Sequence, residues 1–290
     1  MKIGIIGLGL MGGSFALDIK TTFPNSIIYG FDQSKANEQK AIELGLIDHI
    51  IDYFDLIEMD IVLVSVPVDN SLKVLSKVLD VVSKKTLVFD VGSTKEIICN
   101  SLKFHKNRSN YLAVHPMAGT EFSGPQAAHK GLYIGKTNII CESEKTEKIL
   151  LKLALKVFES LKMKIIYMDP KFHDVHVAYV SHLSHISSFM LGKTVIEKEK
   201  NENNIFDLAG SGFESTVRLA KSNPRTWSSI FLQNKANLAA AIDEYIKNLN
   251  TIKGLIIKSD DDKLEKILED TNRIKAVSYT HLRAHETVAN

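Results

Sequence analysis

The sequence predicts an α/β protein in which an N-terminal doubly wound parallel sheet precedes an all-helical domain. Three observations predict it. Short apolar runs alternate with helical patterns over roughly the first 168 residues. Those runs are not interrupted by polar alternation, as expected of parallel strands covered on both faces. After Asp169-Pro170 the strand runs stop and only helical periodicity continues.

Taken in order, "KIGIIG" (2–7) is the first strand; it leads through a glycine-rich turn into a helix from Gly13 to Lys20. "SIIYGFD" (26–32) is the second and ends on Asp32. Further strands are "DIVLVSV" (60–66), "TLVFDV" (86–91), "YLAVHP" (111–116), "TNIIC" (137–141) and "KIIYMD" (164–169). Asp169 then caps, and Pro170 begins, a long helix through residue 200. Gly210 and Gly212 lie in the connection to a helix over about 213–222, and Asn223-Pro224 starts the next helical stretch. These helices are apolar all round, which predicts burial against a second subunit. The domains read as 1–168 and 169–276. Residues 277–290 fit neither: Val277–Thr287 can be back-translated into a common transposon-type sequencing adapter, so we read the tail as read-through.

Composition narrows the class of function. In 290 residues, 44% hydrophobic and 24% charged content describes a soluble globular chain with a real core. A net charge of +2 with interspersed signs does not argue for a nucleic-acid partner, and no apolar run approaches the length that crosses a bilayer. Two cysteines, Cys99 and Cys141, make neither a disulfide framework nor a metal-ligand spacing and suit a reducing cytoplasm. Any two-pronged carboxylate clamp must come from five arginines: Arg108, Arg218, Arg225, Arg273 and Arg283.

The stretch "KIGIIGLGLMGGSFALDI" (2–19) admits two readings, a secretory leader or a dinucleotide-binding turn. The leader reading fails on the absence of a small-x-small cleavage motif and on five glycines between Gly4 and Gly13. The turn reading has context: strand before, helix after, and Asp32 twenty residues beyond Gly12. Gly7 permits the tight turn, Gly9 lets a pyrophosphate approach, and Gly12 allows close helix–strand packing. Asp32 can accept from a ribose 2′-hydroxyl and repels a 2′-phosphate, so NAD is expected over NADP.

Ligands in such sheets lie beyond the carboxyl ends of the strands. "DVGSTK" and "HPMAGTE" deliver Ser93 and His115 there. A hydroxyl beside an imidazole and a hydride acceptor suits alcohol oxidation, with the histidine taking the proton near its ordinary pKa of about 6.5. Ser93 could equally cap a helix starting at Thr94. Farther on stand His173, His176, His182 and His185. At 100° per residue, 173/176 and 182/185 form pairs on opposite sides, so one helix cannot bring all four to a metal. His182 and His185 share a face toward the cleft, and Arg218 is the candidate carboxylate clamp.

Together, "GLGLMGGSFA", "DVGSTK", "HPMAGTEFSG", "HDVHVAYVSHLSH" and "GSGFESTVRLAKSNPRTWSSIFLQN" resemble the prephenate/arogenate dehydrogenase family of tyrosine biosynthesis over nearly the whole chain. The resemblance implies an NAD(P)-binding Rossmann domain, a helical dimerisation domain and oxidative decarboxylation of prephenate to 4-hydroxyphenylpyruvate. It implies that His115 is the base and Ser93 its hydrogen-bonding partner, and that His185 and Arg218 bind substrate with His182 close by. Ser184 stands where the family carries proline, and Glu214, Ser215 and Val217 depart from its usual residues before Arg218. Serine at 184 should cost the helix little; the departures before Arg218 leave prephenate and arogenate both open as substrates. Two further readings compete with it: another two-domain reductase of the hydroxyacid or pyrroline-carboxylate type, and a non-catalytic NAD-sensing dimer.

Overall fold

The computed structural model describes residues 1–200 and 205–274; the tail read as non-native, 277–290, lies outside them. Packing divides the chain into two compact units, Met1–Leu238 and Ala239–Asn290.

The first unit opens with β1 (Lys2–Ile6), α1 (Leu10–Thr22), β2 (Ile27–Phe31), α2 (Lys35–Glu43) and β3 (His49–Ile50). There follow β4 (Ile61–Val64), α3 (Val68–Val81), β5 (Leu87–Asp90), α4 (Glu96–Leu102) and β6 (Tyr111–Pro116). The sheet closes with β7 (Thr137–Cys141), α5 (Lys148–Ser160) and β8 (Lys164–Tyr167). Its order is β3-β2-β1-β4-β5-β6-β7-β8. All seven expected strands are present; the two exposed residues of β3 were too few to show a pattern.

The expected parallel arrangement holds for β1 to β6 and fails for the last two strands. β7 runs antiparallel to β6, pairing His115 with Ile139, and β8 is parallel to β7. Between β6 and β7 there is only a single-turn 3-10 segment at Pro125–Ala127. Without a crossover helix to carry the chain to the sheet's other end, the next strand enters from the same end and must run back.

Apolar runs in the central strands, β1 and β4 to β7, are nearly uninterrupted because both faces are covered. Ile5, Leu63, Phe89 and Val114 join one core with Phe15 of α1 and Phe158 of α5. Their neighbours Ile6, Val64, Val88 and Ala113 join the other, with Leu75 and Val78 of α3 and Ile98 of α4. Successive strand side chains point to opposite faces, so burial on both sides favours apolar residues at nearly every position; Asp90, His115 and Asn138 are buried polar exceptions.

Beyond the sheet, the Asp169 carboxylate accepts from the backbone of Lys171 and Phe172 at 2.9 and 3.2 Å and starts α6 (Pro170–Val177), as its sequence predicted. The long helix is not continuous. A π turn at Ala178–His182 separates α6 from α7 (Leu183–Glu199). The stretch expected as one helix over 213–222 is α8 (Ser211–Val217) followed by a 3-10 turn, Arg218–Lys221. Asn223 caps α9 (Pro224–Gln233), and α10 (Lys235–Lys258) runs on into the second unit.

That second unit continues with α11 (Asp261–Asn272) and leaves Ile246, Leu249, Ile257 and Leu268 exposed. Among the described residues no helix is long and apolar enough to cross a membrane.

Candidate functional site

The turn after β1 is built as its glycines predicted. Gly7 has φ of 95°, and a Cβ there would lie 2.5 Å from the Ser65 carbonyl oxygen. At Gly12 a Cβ would lie 2.1 Å from the carbonyl oxygen of Gly7. These two positions exclude any side chain. Gly9 differs: nothing lies within 4 Å of its missing Cβ, and it caps α1 without a side-chain hydrogen bond. The first amides of α1 thus face an open space that a Cβ would begin to fill, which fits a pyrophosphate.

Asp32, at the end of β2, ties this turn down. One carboxylate oxygen accepts from the Leu8 amide at 2.8 Å, and the other from Ser34 N and Asn37 Nδ2 at 2.9 and 3.2 Å. A carboxylate has about four lone-pair directions, so roughly one remains for a ribose hydroxyl.

His115 lies near the carboxyl end of β6, the same sheet edge as the glycine turn, and is 7% exposed. Its Nδ1 is 2.8 Å from His173 Nε2, the rings meeting edge to face. His173 is wholly buried, and its Nδ1 is 2.7 Å from Asp174 Oδ1. Asp174 also accepts from the backbone N–H groups of Lys95 at 2.8 Å and Glu96 at 3.0 Å. This carboxylate, and not Ser93, satisfies the start of α4; the capping alternative for Ser93 is thereby corrected. Ser93 is half-buried and its hydroxyl has no hydrogen-bond partner among the described residues. The expected Ser93–His115 hydrogen bond is absent: His115 Nδ1 is engaged instead by His173, which nothing in its sequence context marks as a partner.

Burial pushes the His115 pKa well below its ordinary value, and His173, Lys95 and His182 add to the effect. His173 is also lowered by burial, with Asp174 opposing. Both rings are therefore neutral at pH 7. Lys95 does not stand unpaired behind them: its Nζ meets Asp90 Oδ2 at 2.5 Å, both groups are fully buried, and Tyr111 donates to Asp90 Oδ1 at 2.7 Å. An uncompensated ion there would cost several kcal/mol.

The opposite-sides argument for the four histidines is also corrected. An i→i+5 turn shifts everything beyond it by about one residue's rotation, some 100°. With that shift, both His173 and His182 become fully buried, and His182 acts electrostatically on His115. His182 therefore has no surface to offer a substrate. Its Nδ1 is 3.2 Å from Asn234 Nδ2, its Nε2 is buried without a partner, and burial lowers its pKa to about 4. Asn234 also donates to the carbonyl of Asp174 at 2.6 Å, and Thr94 donates to Gln233 Oε1 at 2.7 Å. These side chains at the end of α9 hold α6 and the loop before α4 in place. Nothing in their sequence context marked them.

His185 is half-buried and stacked on Trp227 at 3.3 Å between centroids, its Nδ1 3.0 Å from the Ser181 carbonyl. Burial lowers its pKa, and Arg218 contributes. Arg218 is half-exposed and 3.6 Å from Glu121 in the loop after β6. His185 and Arg218 thus belong to one neighbourhood, with Trp227 as its wall and Glu121 as a competing anion. Among the described residues no three His, Cys, Asp or Glu side chains are grouped as a metal site.

Comparison with known proteins matches residues 15–167 to the prephenate dehydrogenase nucleotide-binding domain and residues 169–270 to the prephenate dehydrogenase dimerization domain. The chain is 30% identical to a prephenate dehydrogenase of Bacillus subtilis over 90% of its own length and 71% of the relative's. It is 32% identical to that of Lactococcus lactis, covering 97% of this chain and 78% of the other. The solved prephenate dehydrogenase of Aquifex aeolicus, in complex with hydroxyphenyl propionate and NAD+, superposes with a TM-score of 0.87 at 34% identity, covering 96% of this chain and 98% of that one.

The glycine geometry makes a separable prediction. Gly9→Ala should leave the melting temperature within about 2 °C while weakening NAD binding at least about 10-fold by titration calorimetry. Gly12→Ala should lower the melting temperature itself by roughly 3–10 °C, because backbone must move. Equal melting losses in both variants would refute the distinction.

Proposed function

The chain belongs to the prephenate dehydrogenase family, and from that premise we propose that it oxidatively decarboxylates prephenate to 4-hydroxyphenylpyruvate, reducing NAD+ to NADH. The observation that carries this reading is His115: a neutral imidazole with Nδ1 engaged and Nε2 free, at the sheet edge shared with the cofactor turn. Bound NAD+ supplies the hydride acceptor, and Asp32 favours it over a 2′-phosphorylated cofactor.

The chain's own residues then have defined tasks. His115 Nε2 takes the ring-hydroxyl proton as hydride leaves the carbinol carbon, which becomes a carbonyl. The bond to the ring carboxylate breaks, its electron pair enters the ring, and carbon dioxide departs. The resulting phenolate recovers the proton from His115, so the base is regenerated and aromatisation makes the sequence irreversible. Ser93, whose hydroxyl is uncommitted, is assigned to hold the reacting hydroxyl against His115. Arg218 and His185 are assigned to the substrate's carboxylates, and Glu121 competes with the substrate for Arg218.

The same reading assigns cofactor binding to residues 1–168 and the substrate wall to the helices of 169–276. The family's dimerization domain and exposed Met190, Leu191, Phe206 and Leu232 support a homodimer through those helices. The two free, buried cysteines support a cytoplasmic setting.

NADH formation measured with prephenate and arogenate side by side, each with NAD+ and NADP+, should be fastest for prephenate with NAD+. His115→Asn should cut kcat at least about 100-fold with NAD binding retained; turnover near wild type would remove His115 as the base. Because burial lowers the His115 pKa, the acid limb of kcat/KM should lie below the ordinary 6.5, not at it. A midpoint at or above 7 would contradict the buried imidazole. Arg218→Ala should raise KM for prephenate about 10-fold or more and leave that for NAD+ within about twofold. Parallel rises in both would undo the clamp.

A further inference from the structure

We infer that His173 and Asp174 form a positioning relay that fixes the proton of His115 on Nδ1 and so keeps Nε2 as the acceptor. The inference rests on His115 being the base. It begins at the carboxylate. Asp174 is fixed by two backbone N–H groups, those of Lys95 and Glu96, and its Oδ1 meets His173 Nδ1 at 2.7 Å. An ionised carboxylate only accepts, so His173 Nδ1 carries a hydrogen. With His173 neutral, its Nε2 is a lone pair, and the Nδ1 of His115 at 2.8 Å must be the donor. One proton remains on neutral His115, and it sits on Nδ1. Nε2 is unprotonated and has no partner among the described residues; it is not among the buried unpartnered atoms, so it reaches solvent.

The opposite assignment puts a lone pair of His173 Nδ1 against an anionic oxygen at 2.7 Å. A doubly protonated His173 is opposed first by its burial and then by the Lys95 ammonium, which together outweigh the Asp174 and Asp90 carboxylates. Remaining charged and titratable groups facing the pair are His182 on the π turn and Asp90 beneath Lys95. None of them supplies an acceptor for His115 Nδ1. The relay matters because a free neutral histidine favours the hydrogen on Nε2, where it blocks proton uptake. The hydrogen bond made by the other ring nitrogen decides the tautomer. As His115 takes the substrate proton, its Nδ1–H bond to His173 strengthens, and the Asp174 charge stabilises the imidazolium through one intervening ring.

The test reads the tautomer directly. In 15N-labelled holoenzyme, NMR of wild-type His115 should show a protonated Nδ1 and a bare Nε2. His173→Leu should lower kcat about 100-fold, change KM for prephenate and NAD+ by less than about threefold, and move the proton toward Nε2. His173→Gln, whose amide oxygen reaches the Nε2 position, should restore the wild-type tautomer and at least about tenfold in kcat over the leucine variant. A wild-type proton on Nε2 overturns the relay, whatever the variants do. So does a His173→Leu variant with kcat within about threefold of wild type while His115→Asn is inactive. Turnover retained in His115→Asn overturns the base assignment instead, which separates the two failures.

Discussion

The carboxylate of Asp174 receives three hydrogen bonds, from His173 and from the backbone of Lys95 and Glu96. Those contacts join the first helix beyond the sheet to the loop after β5, which carries Ser93. Through His173 the same carboxylate reaches His115 at the end of β6. Three segments far apart in the chain are thereby held in one geometry by a single buried anion. Such an anion is stable only when its acceptor sites are filled, and backbone donors at a helix start fill them with fixed dipoles.

The neighbouring Asp90–Lys95 pair follows the same logic at greater depth. Both charges are fully buried, and Tyr111 and the Gly92 amide supply further hydrogen bonds to Asp90. The pair fixes the start of α4, and its cation helps keep the histidines neutral. The cofactor turn is organised differently. It is shaped by exclusion, at Gly7 and Gly12, and left open at Gly9, with Asp32 closing it from the side. One end of the site is thus rigid backbone, and the other is a chain of side-chain hydrogen bonds.

Much of this was legible in the residues. The central strands were, because burial on both faces leaves few polar positions in a run; β2 and β8 are partly exposed and were legible from their apolar residues alone. The helix starts at Asp169-Pro170 and Asn223-Pro224 were, because capping is a local interaction. The reversal of β7 was not, since a strand's residues do not record the direction from which it is entered. The two-residue β3 was too short for any period. The π turn escaped because one extra residue in a turn leaves no mark on an apolar–polar pattern, yet it changes which histidines are buried.

The sequence by itself determined the fold class, the glycine turn with Asp32, and the residues to which the proposed chemistry is assigned: Ser93, His115, His185 and Arg218. These depend on contacts between near neighbours or on positions at strand ends. Only the tertiary structure decided which side chain touches which. It gave His115 to His173 across 58 residues, took His182 out of the cleft, and set Glu121 against Arg218. Hydrogen bonds between distant segments depend on orientation to within a fraction of an ångström. That precision is set by packing and by helix phase, which no local run of residues encodes.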